Sequence, residues 1–179
     1  MAAASSWQQY LPPSCPASPN LTEERIDIVR KTWLTLKSGQ GKGERDRLGS
    51  NPSVQDAMDL LAVMFFEILF KNAPEVEALF QCDLVMQGRR LTTALNNLVD
   101  LLGKDAAAIS EILTRLAEVH HPHGIQPEHY DPFGQALLAM VKAGLAEDFT
   151  SDVCEAWEHL YSTICSFMIP VTQKLTRSR

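Results

Sequence analysis

From Thr22 onward the apolar residues of this chain recur every three or four positions, and nowhere do apolar and polar residues alternate over the run that a half-buried strand needs. That single periodicity confines the chain to helices that bury one face each. The first is expected over about 22–37, with Thr22 as a capping residue, Glu23 and Glu24 in the first turn, and Ile26, Val29, Trp33 and Leu36 on one face. A second opens on a Ser53-Val-Gln-Asp capping box, carries Met58, Leu61, Phe65, Ile68 and Leu69, and stops near Lys71 before Pro74. Pro74 itself suits the first turn of a short helical piece, PEVEALF, because its missing N–H would be unsatisfied there anyway.

Three further helices follow: Asp83 to Gly103 with Leu84, Leu91, Ala94 and Leu98; Asp105 to His120 with Ile109, Leu113 and Leu116; and one from Pro127 with Phe133, Leu137, Val141 and Leu145. The last runs from about Ser151 through Trp157, Leu160, Ile164, Phe167 and Met168, and Pro170 is expected to kink or weaken its end. The class is all-α, with about six helices and short connections. Residues 1–20 hold four of the ten prolines with several Ser and Ala, and are expected to form a flexible tail ahead of a single domain over 21–176. The segment KSGQGKGERDRLGSNP has four Gly, a terminal Pro and no apolar period, so residues of about 38–52 are expected to be a loop or insertion.

With 45% apolar residues the chain can bury a substantial core, and a formal net charge of −6 disfavours nucleic acid and anionic membrane surfaces as partners. No run approaches the eighteen or more apolar residues of a membrane span. The N-terminus lacks the basic and apolar regions of a signal peptide, and Cys15, Cys82, Cys154 and Cys165 show no C-x-x-C spacing. The expectation is a soluble, cytoplasmic protein with reduced thiols, Cys82 included.

Two polar residues interrupt apolar helix faces: His120, in phase with Leu113 and Leu116, and Gln87, in phase with Leu84 and Leu91. Either reads on spacing alone as an ordinary satisfied polar group. Together they suit a flat apolar cofactor flanked by one group on each side, since neutral imidazole is a good axial ligand for haem iron and an amide opposite can donate to a bound gas. Four of the five histidines fall between 120 and 129, but His121 points about 100° away from His120 on a helix, His123 lies in a Pro-Gly loop and His129 opens the next helix. That cluster lacks the convergent ligands of a zinc site.

The stretch LAEVHHPHGIQPEHY resembles the corresponding segment of globins, in particular neuroglobins and the globin domains of bacterial flavohaemoglobins. The likeness extends over roughly residues 21–170: PEVEALF is similar to the segment whose final phenylalanine packs on the haem, MQGRRL to the distal helix, FGQALLAMVKAGLAEDFTSDVCEAWEHLYSTICSFM to the last two helices, and Trp33 to the tryptophan of the first. The resemblance implies a three-over-three helical sandwich, haem b held by His120 as the proximal iron ligand, and reversible binding of dioxygen, NO or CO for oxygen transport or gas sensing. It places Phe66, Phe80, Gln87, Arg90, Leu91, Leu116, Ile125, Tyr130 and Tyr161 around the cofactor, with Arg90 toward a propionate and Gln87, Phe66 and Leu91 on the ligand side.

Three departures bear on function. Gln87 stands where many neuroglobin-like proteins carry a second histidine ligand; Phe66 stands where flavohaemoglobins carry a tyrosine; and Thr172 falls at the position of a proximal glutamate, although Tyr130 matches its tyrosine partner. With no flavin or nicotinamide domain expected, the enzymatic alternative is NO dioxygenation or nitrite reduction with a separate reductase. A third reading is a sensor or adaptor acting through the tail or the insertion.

Overall fold

A computed structural model describes residues 6–48, 56–80 and 83–178. Among them are seven α-helices and no strand: α1 (Glu23–Lys37), α2 (Lys42–Leu48), α3 (Ala57–Asn72), α4 (Leu84–Leu101), α5 (Ala106–His120), α6 (Tyr130–Leu145) and α7 (Ser151–Arg177). Short polar side chains start them. Thr22, Asp83, Asp105 and Thr150 each accept a hydrogen bond from a first-turn backbone N–H, satisfying donors that have no partner inside the helix. Asp56 does the same for α3; the Ser53 capping box lies outside the described residues. Gly103 and Gly124 follow α4 and α5 with φ of +71° and +87°, the left-handed conformation that lets the chain turn away.

The helices form the expected three-over-three arrangement, with α1, α4 and α5 packed across α3, α6 and α7. Trp33 and Trp157 anchor one end, their ring centroids 6.1 Å apart. Both indole N–H groups are satisfied, by Asn96 Oδ1 at 3.3 Å and Thr32 Oγ1 at 3.0 Å, so these rings bury their area without stranding a donor. Helices α3 and α4 cross at Gly88, where a Cβ would stand 2.4 Å from that of Ala62. Only glycine permits that approach, and it brings the two helices that face the cavity from one side into direct contact.

Three segments depart from the sequence expectation. Within residues 38–52, expected as a loop or insertion, Lys42–Leu48 form α2. Residues 6–20, expected as a flexible tail, lie against α6 and α7: Leu11 and Cys15 are buried, and Trp7 and Tyr10 pack on the core. A Cβ on Gly134 would meet Pro12 Cγ at 2.5 Å and Tyr161 Cε1 at 2.2 Å, so this glycine is the seat for the N-terminal segment. Finally, α7 continues through Pro170 to Arg177. An interior proline removes one backbone bond and costs about 3 kcal/mol. The ring faces solvent, and its neighbours Met168, Ile169 and Thr172 are buried; at roughly 1.5–3 kcal/mol per buried apolar side chain, that packing outweighs the loss.

Candidate haem-type cavity

A cavity of about 350 Å³ opens between α4, α5, α6 and α7. Its wall is made of leucine, isoleucine, phenylalanine and tyrosine side chains, among them Leu91, Leu98, Leu113, Leu116, Ile125, Phe133 and Leu137, with few polar atoms. His120, at the last position of α5, is in that wall. The spacing that put it in phase with Leu113 and Leu116 also puts it one turn beyond the Leu116 carbonyl, and its Nδ1 lies 2.6 Å from that oxygen. A carbonyl only accepts, so Nδ1 carries the proton and Nε2 keeps its lone pair. Burial is the main cause holding the His120 pKa below the usual histidine range; the Leu116 carbonyl opposes it, and the nearby His123 adds to it. The group is therefore a neutral imidazole, aimed by its own helix, with a free metal-binding nitrogen.

Of the residues expected around a cofactor, Leu91, Leu116, Ile125, Tyr130 and Tyr161 line the cavity with His120. Phe80 and Phe66 stand just behind the wall: Phe80 packs on the lining Phe133 with centroids 5.9 Å apart and on Phe66 at 5.1 Å. Phe66 also faces the α3–α4 crossing, where its Cε2 would lie 3.7 Å from a Cβ on Gly88. Its neighbour Phe65 is the ring that reaches the cavity. Gln87 is half-buried beside Gly88 and outside the cavity wall. Arg90 is exposed, its Nη2 3.7 Å from Met86 Sδ, in a groove that shares Ala94 and Asn97 with the cavity. Its neighbour Arg89, in the same groove, is engaged by Asp59 at 3.1 and 3.2 Å.

Asn97 and His129 are wall residues that sequence reasoning did not single out. For His129 a signal existed: it lies four residues before Phe133, one turn along the same face. Its Nδ1 accepts the Gln126 backbone N–H at 3.1 Å, which fixes the ring, and burial pushes its pKa down. His121 is buried with Nδ1 unpartnered, and His123 is exposed. Among the described residues no group of three His, Cys, Asp or Glu side chains comes together as a metal site.

Below the cavity the two tyrosines are tied to the end of the fold. The Tyr130 hydroxyl and Thr172 Oγ1 are 2.9 Å apart, Thr172 Oγ1 also donates to the Met168 carbonyl at 3.1 Å, and the Tyr161 hydroxyl donates to the Tyr130 carbonyl. Since the single Thr172 proton serves Met168, Tyr130 is the donor in the pair. Burial is the main cause that raises the Tyr130 phenol to about 12. The network beneath His120 is thus neutral throughout.

A mostly apolar cavity with one buried, neutral imidazole in its wall fits a flat apolar macrocycle that carries a metal. Helices arranged in this way around such a cavity define a haem-type helical sandwich. The chain belongs to the globin family, whose model matches residues 63–168. It is 28% identical over 127 residues to a flavohemoprotein of Oceanobacillus iheyensis, covering 69% of this chain and 31% of that protein. The chain therefore spans about a third of the length of such flavohemoproteins. Globin CTT-VI of Chironomus thummi thummi is 25% identical over 152 residues, covering 76% of this chain and 79% of its own. Among solved structures, a bacterial globin from Campylobacter jejuni superposes with a TM-score of 0.65 at 22% identity over 87% of this chain and 99% of that one. The flavohemoglobin of Malassezia yamatoensis, solved with bound FAD and heme, gives 0.62 at 18% identity over 88% of this chain and 38% of that one.

Proposed function

We propose that this globin binds haem b and holds dioxygen, NO or CO reversibly, with His120 Nε2 as the proximal iron ligand. The observation that carries this reading is the His120–Leu116 hydrogen bond, which fixes the tautomer and leaves the metal-binding nitrogen free at an apolar wall. The bound haem would supply a ferrous centre with an open coordination position; the chain's part is to grip, exclude water and tune polarity. Phe65, Leu91, Leu98 and Phe133 would exclude water, Arg90 would pair with a propionate, and Gln87 would donate its amide to the gas. Phe66 and Phe80 back the wall, and Tyr130, Tyr161, Leu116 and Ile125 bound the proximal side. Cys15, Cys154 and Cys165 are free thiols, in keeping with a reducing, cytoplasmic setting; among the described residues no helix is long and apolar enough to cross a membrane.

The test is the absorption spectrum of the purified protein in its ferric, ferrous and carbonyl forms. A Soret band that is lost in His120→Gly and restored by added imidazole supports the assignment. A haem band of unchanged intensity and position in His120→Gly without imidazole overturns it.

A second reading is NO dioxygenation with a separate reductase, and the likeness to flavohemoproteins favours it. The neutral proximal network argues for ligand holding instead. His120 donates only to a carbonyl, and Tyr130 meets the Thr172 hydroxyl where flavohaemoglobins have a carboxylate, so nothing there drives the imidazole toward its more electron-donating anion. Sustained NO consumption when a ferredoxin- or flavodoxin-type reductase and NADPH are added would favour the enzymatic reading.

A further inference from the structure

Helix α2, between α1 and α3, carries a carboxyl group that is out of water altogether. Glu44 is 0% exposed. Its Oε2 accepts the Gly41 N–H at 3.2 Å, and its Oε1 has no hydrogen-bond partner. Two glycines bring it there. A Cβ on Gly43 would stand 1.9 Å from the Ala143 carbonyl oxygen, and one on Gly41 2.4 Å from that of Gly144, so the backbone at the start of α2 lies directly on the C-terminal carbonyls of α6. A Cβ on Gly144 would meet Leu36 Cδ2 at 2.5 Å, Glu44 Cγ at 3.5 Å and Leu61 Cδ2 at 3.6 Å. The Glu44 side chain therefore fills the junction of α1, α3 and α6.

Apart from the Gly41 N–H, the surroundings of that junction oppose a negative charge. It is apolar, and it lies at the end of α6 where exposed carbonyls carry the negative pole of the helix dipole. Among the described residues no cation is paired with Glu44. On α2 itself Lys42 is bound to Glu147 and Asp148, each at 3.2 Å, and Arg45 donates to the Gln40 carbonyl; Arg47 is exposed at the far end. Lys37 of α1 donates to Asn96 Oδ1, Asp59 of α3 is taken by Arg89, and the exposed Lys142 of α6 makes no ion pair with Glu44. Burial, only partly offset by the Gly41 N–H, raises the Glu44 pKa from the ordinary 4.5 to about 7.

We propose that α2 is a proton-operated plug: Glu44 occupies the junction of α1, α3 and α6 as the neutral acid, and its ionisation drives α2 out of that junction. The sign follows from the direction of the shift. Docking is fully favoured below the ordinary carboxyl range of 4.5 and weakens as pH rises to about 7, beyond which it loses nothing further. Each unit between the two values is roughly a tenfold change in the docking equilibrium, so release grows by roughly two orders of magnitude across the window.

Two measurements on the full-length haem-loaded protein test this. In ¹³C-glutamate-labelled protein the Glu44 carboxyl should titrate near neutrality; a midpoint at the ordinary carboxyl pH overturns the proposal. The Arg45 amide, bonded to the Gly41 carbonyl at 3.0 Å, should lose roughly tenfold or more in hydrogen-exchange protection between pH 5.5 and 7.5 relative to the Trp33 amide of α1. Protection in Glu44→Gln should be flat over the same range. Equal pH dependence in wild type and Glu44→Gln overturns the proposal, and should that variant fail to fold, the wild-type titration decides alone.

Discussion

Replacing Thr172 by valine keeps the shape of the side chain and removes one oxygen. Because Tyr130 is the donor in their 2.9 Å contact and is only 6% exposed, the change leaves a buried phenolic O–H with nothing to donate to. Stranding such a group costs about 1–3 kcal/mol, and with no cavity term added the expected loss is roughly 2 kcal/mol. Removing the donor instead is milder. In Tyr130→Phe the Thr172 hydroxyl keeps its bond to the Met168 carbonyl, and the loss is about 0.5–1.5 kcal/mol. In the double variant no phenol is stranded, so the two losses should fall short of additivity by about 1–2 kcal/mol. Urea denaturation of the haem-free protein reads this directly, without the contribution that bound haem would add by mass action. In a domain of this size, the single Thr172→Val loss also corresponds to a drop of roughly 4–8 °C in Tm. Additivity within about 0.3 kcal/mol would refute the argued direction of the bond and the claim that this network is closed and neutral.

Gln87→Leu should speed dioxygen release about tenfold, the effect of losing a donor to the bound gas worth about 1–2 kcal/mol; an unchanged off-rate in flash photolysis would remove Gln87 from the ligand site. Gly88→Val should destabilise the protein by at least 2 kcal/mol in the same urea assay, since a Cβ 2.4 Å from that of Ala62 must force α3 and α4 apart; a neutral result would mean the crossing is looser than described. Deleting residues 1–18 should cost roughly 2–4 kcal/mol through exposure of the Leu11 and Cys15 contacts on α6 and α7, whereas an unchanged denaturation midpoint would show that the segment contributes nothing.

The helices that bury one face were legible because two independent signals coincide at each of them. Thr22 reads as a cap in the sequence and accepts the Arg25 N–H in the structure, Asp83 and Asp105 stand where their helices are expected to begin, and the period that follows sets which face turns inward. The same period placed His120 in the cavity wall. What was not legible depends on partners far away in the chain. The segment KGERDRL has no apolar period to announce α2; what holds it is a pair of glycines that fit against Ala143 and Gly144, and a glutamate that goes inward. The proline-rich start reads as structureless until Gly134 and Tyr161 are seen to receive Pro12. Pro170 reads as a point where the helix end is kinked or weakened because a local rule cannot weigh the burial of Ile169 and Thr172 on either side of it. At the site, Phe65 and Phe66 are adjacent and both buried, and the packing of α3 brings Phe65 to the cavity and leaves Phe66 behind it.

The seat of Pro12 has a mechanical consequence. Pro12 touches the position of Gly134 against the ring of Tyr161, and the Tyr161 hydroxyl holds the Tyr130 carbonyl at the start of α6. Both tyrosines are wall residues of the cavity. The N-terminal segment is therefore in series with the floor of the cavity, through Gly134, Tyr161 and Tyr130.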